Sequence, residues 1–239
     1  MMRPLALALS GLLGLAGPTL AQGTSGAQGT SGVVVELYTS QGCSSCPPAD
    51  AYLAELAQDP GVIALALHVD YWDYIGWKDK FGSAKFTDRQ KVYAKAIGSS
   101  TIYTPQMIVG GTDRVEGSNP EKVEGNIRRH QMAQATVTLQ LMRSGDVLTV
   151  HAVAKADLPG PVVVQVVRYR PEATVSIEYG ENAGQTITYT NIVTSWNRVA
   201  DWPGTEDLQL SLPVTGDDPV VVIVQQPGPG LILAASVLK

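Results

Sequence analysis

The chain has 239 residues, which is enough for one large domain or two smaller ones. Hydrophobic residues make up 44% of it and charged residues 16%, a composition typical of folded globular proteins and not of disordered ones. The formal net charge of −5 excludes the basic field that nucleic-acid binding requires, so no nucleic-acid partner is predicted.

The first 21 residues have the pattern of a secretory signal peptide. A short positive start at Arg3 precedes an apolar run from Leu5 to Ala16, and a cleavage-type sequence ends at Ala21. The run is too short and too rich in glycine to span a membrane well. We therefore predict that residues 1–21 are removed and that the mature protein is periplasmic or secreted, with no stable membrane insertion.

Residues 22–32 are rich in glycine, serine and threonine, and the sequence AQGTSG occurs twice in succession over residues 21–32. Sequences of this composition are flexible linkers, so we predict no structure for this segment and no role beyond that of a tether.

The chain's two cysteines, Cys43 and Cys46, follow the run Val33–Tyr38, which is apolar on both faces except at Glu36. Such a run is typical of a central parallel strand. A helical pattern then extends to the stop at Asp59-Pro60-Gly61, and Val62–Val69 forms a second apolar strand. The cysteines are therefore predicted at the strand-to-helix junction of a β–α–β unit.

A strand-to-helix junction favours thiolate chemistry, because unpaired N–H groups and the helix dipole stabilise negative charge there. We predict that Cys43, as the exposed leading cysteine, has a lowered pKa and acts as nucleophile. Cys46, one turn later, would resolve the mixed disulfide. In an exported protein the pair is expected to rest as a disulfide. The alternative is a purely structural disulfide, although so small a loop removes little chain entropy.

The segment from Asp70 to Phe81 is dense in aromatic and acidic residues just past a strand's carboxyl end, where open α/β sheets bind ligands. We predict Trp72 and Trp77 as substrate-binding residues that flank the cysteines. The alternative is an ordinary loop whose aromatics are fixed in the core.

Further elements follow in order: a capping box at Thr87–Gln90 that opens a helix, a strand that opens at Thr104-Pro105, a hairpin turn at Gly110-Gly111 and a final helix from Asn119-Pro120 to about Gln134.

The order β–α–β–α–β–β–α, with its Cys-Ser-Ser-Cys motif and Thr104-Pro105, resembles the thioredoxin fold. The sequences ELYTSQGCSSCPPAD, HVDYWDYIGWKD and YTPQMIVGG further resemble a family of secreted bacterial thioredoxin-like proteins known only as a domain of unknown function. The resemblance implies a cis Pro105 against the dithiol and backbone groups of Thr104 that face a bound peptide. Two departures are the Ser-Ser spacer and the segment 71–85, which is long enough to cover the site.

The resemblance also implies a buried carboxylate behind the dithiol that relays a proton, and Glu36 is the candidate for this catalytic role. Burial would raise its pKa toward the range that such a relay needs. The spacing from Cys43 differs by about one residue from that of the usual acid. The alternative is that Glu36 forms an ion pair with a lysine or arginine.

From about Ala135 onward, helical periodicity disappears and short strands alternate with turns. About eight strands predict an antiparallel, sandwich-like domain. The predicted fold class is thus an α/β thioredoxin-like domain over residues 33–134, followed by an all-β domain over residues 135–239. No catalytic constellation is evident in the second half. With no further cysteine and no predicted cofactor, electrons must be exchanged with a redox partner protein or a small thiol.

The predicted function is an exported thiol–disulfide oxidoreductase with Cys43 as nucleophile and Cys46 as resolving residue. One alternative is a periplasmic copper-binding protein in which His68 joins the two thiolates, since these ligands suit Cu(I). Another is a non-catalytic binding module that uses the β domain and the Tyr71–Trp77 loop as its surface. Zinc is not predicted, because a structural site needs four ligands and the chain has two cysteines and three histidines.

Overall fold

The computed structural model describes residues 27–239, so the predicted signal peptide and the start of the predicted linker lie outside the described residues. In chain order the elements are β1 (Ala27–Gln28), β2 (Thr30–Ser31), β3 (Val33–Thr39), α1 (Pro47–Leu56), β4 (Val62–His68), a single 3-10 turn (Asp73–Ile75), α2 (Ala84–Ala96), β5 (Gln106–Val109), β6 (Asp113–Glu116), α3 (Pro120–Met132), β7 (Val137–Ser144), β8 (Val147–Ala154), β9 (Val162–Ser176), β10 (Thr186–Trp202), β11 (Leu208–Pro213), β12 (Val220–Gln225) and β13 (Ile232–Leu238).

Nine of the strands form one mixed sheet in the order β2-β13-β12-β9-β10-β4-β3-β5-β6. Strand β4 pairs in parallel with β3 and with β10, and the other pairs are antiparallel. Strands β3 and β4 lie at the middle of this sheet and are almost completely buried, in agreement with their continuous apolar sequences.

The predicted fold class is wrong. The protein is mostly β, with three α-helices against thirteen strands in residues 27–239, and it is not an α/β thioredoxin-like domain followed by a separate β domain. The pairing of β4 with β10, through Ala66 and Ile192, joins strands from the two halves into one sheet. This sheet crosses the position 134–135, where the sequence predicted a domain boundary. Apolar patterns identify strands but do not specify which distant strands pair, and that pairing decided the fold.

A second sheet of four antiparallel strands, in the order β1-β7-β8-β11, packs face to face on part of the first. Alternate residues of β7 and β8, such as Leu141 and Leu148, meet alternate residues of β9 and β12, such as Val164 and Val222, in a common apolar core. The end of the predicted linker is structured, because β1 pairs with β7 and β2 pairs with β13.

The three helices cover the two faces of the sheet around β3. Helices α1 and α3 pack on the face that includes Val35 and Leu37. Helix α2 packs on the opposite face, where its Tyr93 meets Tyr38. Because successive side chains of a strand point to opposite faces, Glu36 shares the face of Tyr38 and points away from α1. None of the helices in the described residues is long and apolar enough to cross a membrane.

Candidate functional site at the Cys43–Cys46 disulfide

Cys43 and Cys46 form a disulfide in the turn that leads from β3 into α1. The turn is closed by backbone bonds, in which the Cys43 N–H donates to the Ser40 carbonyl and the Cys46 N–H donates to the Cys43 carbonyl. Both cysteines are buried, with 1% and 0% of their surfaces exposed. The prediction that Cys43 is exposed is therefore wrong. Segments distant in sequence bury the turn, and the local sequence pattern does not predict burial of this kind.

Helix α1 begins directly after the disulfide. The Cys46 carbonyl accepts hydrogen bonds from the N–H groups of Ala49 and Asp50, whereas Pro47 and Pro48 have no N–H to offer. The side-chain contact to sulfur is a 3.5 Å approach between Cys43 Sγ and the hydroxyl of Ser45. A thiolate at Cys43 would therefore be stabilised by the helix dipole and by one hydroxyl donor.

The Thr104–Pro105 peptide bond is cis, as the resemblance implies, and it lies beside the start of α1. Gly117 fits between these elements, since a Cβ placed there would lie 2.9 Å from Pro105 Cβ and 3.1 Å from Ala49 Cβ. The Gly117 N–H also donates to the Pro105 carbonyl over 3.0 Å. Strand β5, at whose start Pro105 stands, thus places Thr104 and Pro105 next to the first turn of α1.

The two predicted tryptophans fix the loop after β4 against this site. The indole N–H of Trp72 donates to the Thr104 hydroxyl over 2.7 Å, and that of Trp77 donates to the Gln41 amide oxygen over 2.8 Å. A Cβ at Gly42 would lie 3.1 Å from Trp72 Cβ, so the loop packs directly on the turn that carries the disulfide. The structure therefore brings Trp72, Trp77, Thr104 and Pro105 together around the cysteines.

Glu36 does not join this group. Its carboxylate accepts two hydrogen bonds of 2.8 Å from the Arg89 guanidinium, one of 2.6 Å from Tyr93 and one of 2.9 Å from Tyr38. Burial opposes the charge on Arg89, but the Glu36 carboxylate more than offsets it and raises the pKa of Arg89. Glu36 forms the ion pair that the sequence left as the alternative, on the face of the sheet opposite α1.

Asp50 is a carboxylate that the sequence analysis did not select. It lies four residues after Cys46, on the same face of α1, and it is 5% exposed. Neither of its oxygens has a hydrogen-bond partner within the part of the chain that the structure describes. Burial raises the pKa of Asp50 to about 7, against the lowering effects of nearby His68 and of the Thr39 side chain. The signal in the sequence was its position in the apolar stripe of the helix, together with Leu53, where a charged residue is unusual.

His68 and Asp79 form a second buried polar pair close to Asp50. Asp79 accepts hydrogen bonds of 2.8 Å from His68 Nδ1, from the Gln41 N–H and from the Phe81 N–H. Burial would raise the pKa of Asp79, but His68 and these bonds together lower it. Between residues 27 and 239 there is no group of three or more His, Cys, Asp or Glu side chains arranged to hold a metal ion. The structure therefore does not bring His68 together with the cysteines as a metal site.

Asn182 comes from the loop between β9 and β10, 139 residues after Cys43. Its amide nitrogen donates to the carbonyls of Gln41 and Cys43 over 2.9 and 3.0 Å, and its side chain is 1% exposed. The second half of the chain, in which no catalytic constellation was predicted, thus holds the backbone of the disulfide turn. No local pattern signals this role, because it depends on the long-range pairing of β10 with β4.

A comparison with curated proteins gives no match. Two solved structures are similar in fold. A crystal structure of a protein from Agrobacterium tumefaciens is 32% identical with a TM-score of 0.75, over 86% of this chain and 93% of that one. A structure of HBP35 from Porphyromonas gingivalis is 14% identical with a TM-score of 0.63, over 87% of this chain and 75% of that one. The family model described as "Protein of unknown function (DUF1223)" matches residues 34–225, and the chain belongs to this family.

Proposed function

We propose that the Cys43–Cys46 disulfide is redox-active and that the protein is an exported thiol–disulfide oxidoreductase. The observation that carries the proposal is the buried carboxyl of Asp50, one helical turn behind Cys46, which has no hydrogen-bond partner among residues 27–239. Burying such a group costs stability, and a purely structural disulfide has no use for it. Since its pKa is about 7, Asp50 is able both to donate and to accept a proton near neutral pH.

The reaction starts from the disulfide state. A thiolate of the partner attacks Cys43 Sγ, the bond between the two cysteines breaks, and Cys46 leaves with the electron pair as a thiolate. Protonated Asp50 supplies the proton that this thiolate takes up. A second partner thiolate then attacks the partner's own sulfur in the mixed disulfide and releases Cys43 as a thiolate at the start of α1.

The net result is a partner disulfide and a reduced protein, with two electrons transferred from partner to protein. In the opposite direction Cys43 attacks a partner disulfide, Cys46 resolves it and Asp50 accepts the proton of Cys46. The reduction potentials of the two couples set the direction. The partner is a redox protein or a small thiol, because the chain has no third cysteine.

A partner has to pass the loop that covers the buried disulfide. The hydrogen bond from Trp72 to the Thr104 hydroxyl holds this loop closed, whereas Tyr74 in the adjacent 3-10 turn is 81% exposed. We propose that the loop opens at Trp72 and that Trp72, Trp77, Thr104 and Pro105 then contact the partner's chain.

Disulfide exchange of the purified protein with reduced glutathione tests this function. Wild-type protein should exchange without unfolding. Incubated instead with oxidised glutathione, Cys46→Ser should accumulate a mixed disulfide at Cys43 and release one reduced glutathione, and Cys43→Ser should not. Asp50→Asn should slow the exchange by about a hundredfold or more and flatten its dependence on pH near 7, as expected for loss of a general acid–base group. Exchange that occurs only as fast as the protein unfolds would contradict the proposal and leave a structural disulfide.

A further inference from the structure

A large cavity lies beside α2, away from the disulfide. Its volume is about 760 Å³, within the range of roughly 300–1,000 Å³ that small-molecule sites occupy. Helix α2 and the loop before it form one wall, strands β9 and β10 form another, and the turn between β12 and β13 forms a third. The residues that line it include neither cysteine, nor Asp50, nor Thr104 and Pro105, so it is separate from the proposed redox site.

The charge of this cavity is opposite to that of the chain. Five basic side chains and a single acidic one line it, whereas the whole chain has a net charge of −5. Lys80, Lys85 and Arg170 have no carboxylate at ion-pair distance among residues 27–239. The acidic residue, Asp88, is already paired with Lys91 outside the cavity. A concave surface lined by one sign of charge concentrates ligands of the opposite sign.

Part of the cavity lining is apolar or aromatic, and stacking and hydrogen bonds hold its polar side chains. The Arg89 guanidinium stacks on Trp196 at 3.7 Å from the ring centroid and is fixed from behind by two bonds to Glu36. The indole N–H of Trp196 is bonded to the Gln165 side chain over 2.7 Å. Apolar side chains, among them Ile192, complete the lining. Fixed side chains of this kind form a binding surface that needs little ordering when a ligand arrives.

We propose that this cavity is a binding site for an organic anion that combines an acidic group with an apolar body. Lys80, Lys85 and Arg170 bind the acidic group, and the lining around Trp196 holds the apolar body. The acidic group of the ligand accounts for the cations that lack an ion-pair partner, and its apolar body accounts for the lining around Trp196. The proposed redox chemistry uses neither feature.

The probe for this test is 8-anilinonaphthalene-1-sulfonate, an anion with an aromatic body, titrated into the folded protein while its fluorescence is measured. Binding should show one site per chain, with energy transfer from tryptophan. A Lys85→Glu, Arg170→Glu double variant should weaken binding by about tenfold or more. A Thr194→Trp variant, which places a large side chain in the cavity, should weaken it as well.

The matched control is a Lys95→Glu, Lys155→Glu double variant, which makes the same change in net charge at exposed positions outside the cavity. It should bind the probe as the wild type does. The uncharged analogue N-phenyl-1-naphthylamine should bind wild type and both double variants about equally. Absent binding to the folded protein, or equal weakening in the two double variants, would overturn the proposal. Binding that charge reversal in the cavity does not change would overturn it too.

Discussion

Replacing Asp50 by asparagine should affect the stability of the protein more favourably at pH 8 than at pH 4. The carboxyl has a pKa of about 7 in the folded protein because of burial, against an ordinary value of 3.8. Between these two values the folded state binds more protons than the unfolded state, so stability falls as the pH rises through this window. The difference between the two pKa values is about three units, which corresponds to about 4 kcal/mol. This is the upper limit of the free energy that ionising Asp50 costs the folded protein at neutral pH.

Asparagine has nearly the same shape and cannot ionise, so it removes this cost. The free energy of unfolding of Asp50→Asn, relative to the wild type, should increase by about 2–4 kcal/mol between pH 4 and pH 8. Equilibrium unfolding in guanidinium chloride, with the disulfide intact, measures this at each pH. Taking the change between two pH values cancels any constant cost of the buried amide.

The control is Asp217→Asn, which removes an exposed carboxylate in the turn before β12. Its stability should follow that of the wild type at every pH. An Asp50→Asn variant whose stability differs from the wild type by the same amount at pH 4 and pH 8 would refute a raised pKa at Asp50.

Three further substitutions test the surroundings of the site. Asn182→Ala should destabilise the protein by about 2–3 kcal/mol in thermal or chemical unfolding, because it leaves the carbonyl of the buried Gln41 without its donor. Glu36→Gln should destabilise it by about 3–5 kcal/mol, since Arg89 then keeps a largely buried and unpaired charge, and it should leave the rate of disulfide exchange of the folded protein unchanged. Ser45→Ala should raise the thiol pKa of Cys43 in the reduced protein by about 0.5–1, as seen in the pH dependence of alkylation, because the thiolate loses a hydroxyl donor.

Two of these variants have a matched control. Ser44→Ala removes the other exposed hydroxyl of the motif, which has no contact with sulfur in the described structure, and should leave the Cys43 pKa unchanged. Asn197→Ala removes an exposed amide of β10 and should cost little stability. If Glu36→Gln slowed exchange as much as Asp50→Asn does, the assignment of the proton transfer to Asp50 alone would be wrong.

Much of the local structure could be predicted from the sequence. Strands β3 and β4, the hairpin turn at Gly110 and Gly111, and the start of α3 at Asn119 lie where apolar runs, glycine pairs and a capping residue placed them. Helix α2 is an exception, because it begins at Ala84 and not at the capping box. Thr87, which was expected to cap it, bonds instead to the Asp70 carboxylate over 2.6 Å.

The long-range arrangement could not be predicted in the same way. The two strands β9 and β10 are 15 and 17 residues long, and β10 reaches back to pair with β4. That pairing removes the predicted division into two domain types and brings Asn182 to the disulfide. The pairing of β10 with β4 is a contact between strands far apart in the sequence. The local sequence pattern of each strand does not specify its partner.

The candidate site was predictable where its residues are chemically distinctive. The cysteines, the two tryptophans and Thr104-Pro105 stand out by type and spacing, and the structure brings them together. The roles of Glu36 and Asp50 depended on the face of the element on which each residue lies. Glu36 is the charged residue of the buried strand before the dithiol, but strand alternation points it toward Arg89.

The reduction potential of the Cys43–Cys46 couple tests the central claim most directly. Folded protein would be equilibrated in glutathione or dithiothreitol buffers of known potential. The reduced cysteines would then be alkylated, and the number of alkylated cysteines per chain would be measured. The proposed function predicts one two-electron transition above about −300 mV, the level below which structural disulfides of secreted proteins lie, with the fold retained on both sides. A potential well below that level, or reduction that occurs only together with unfolding, would contradict a redox role for this disulfide.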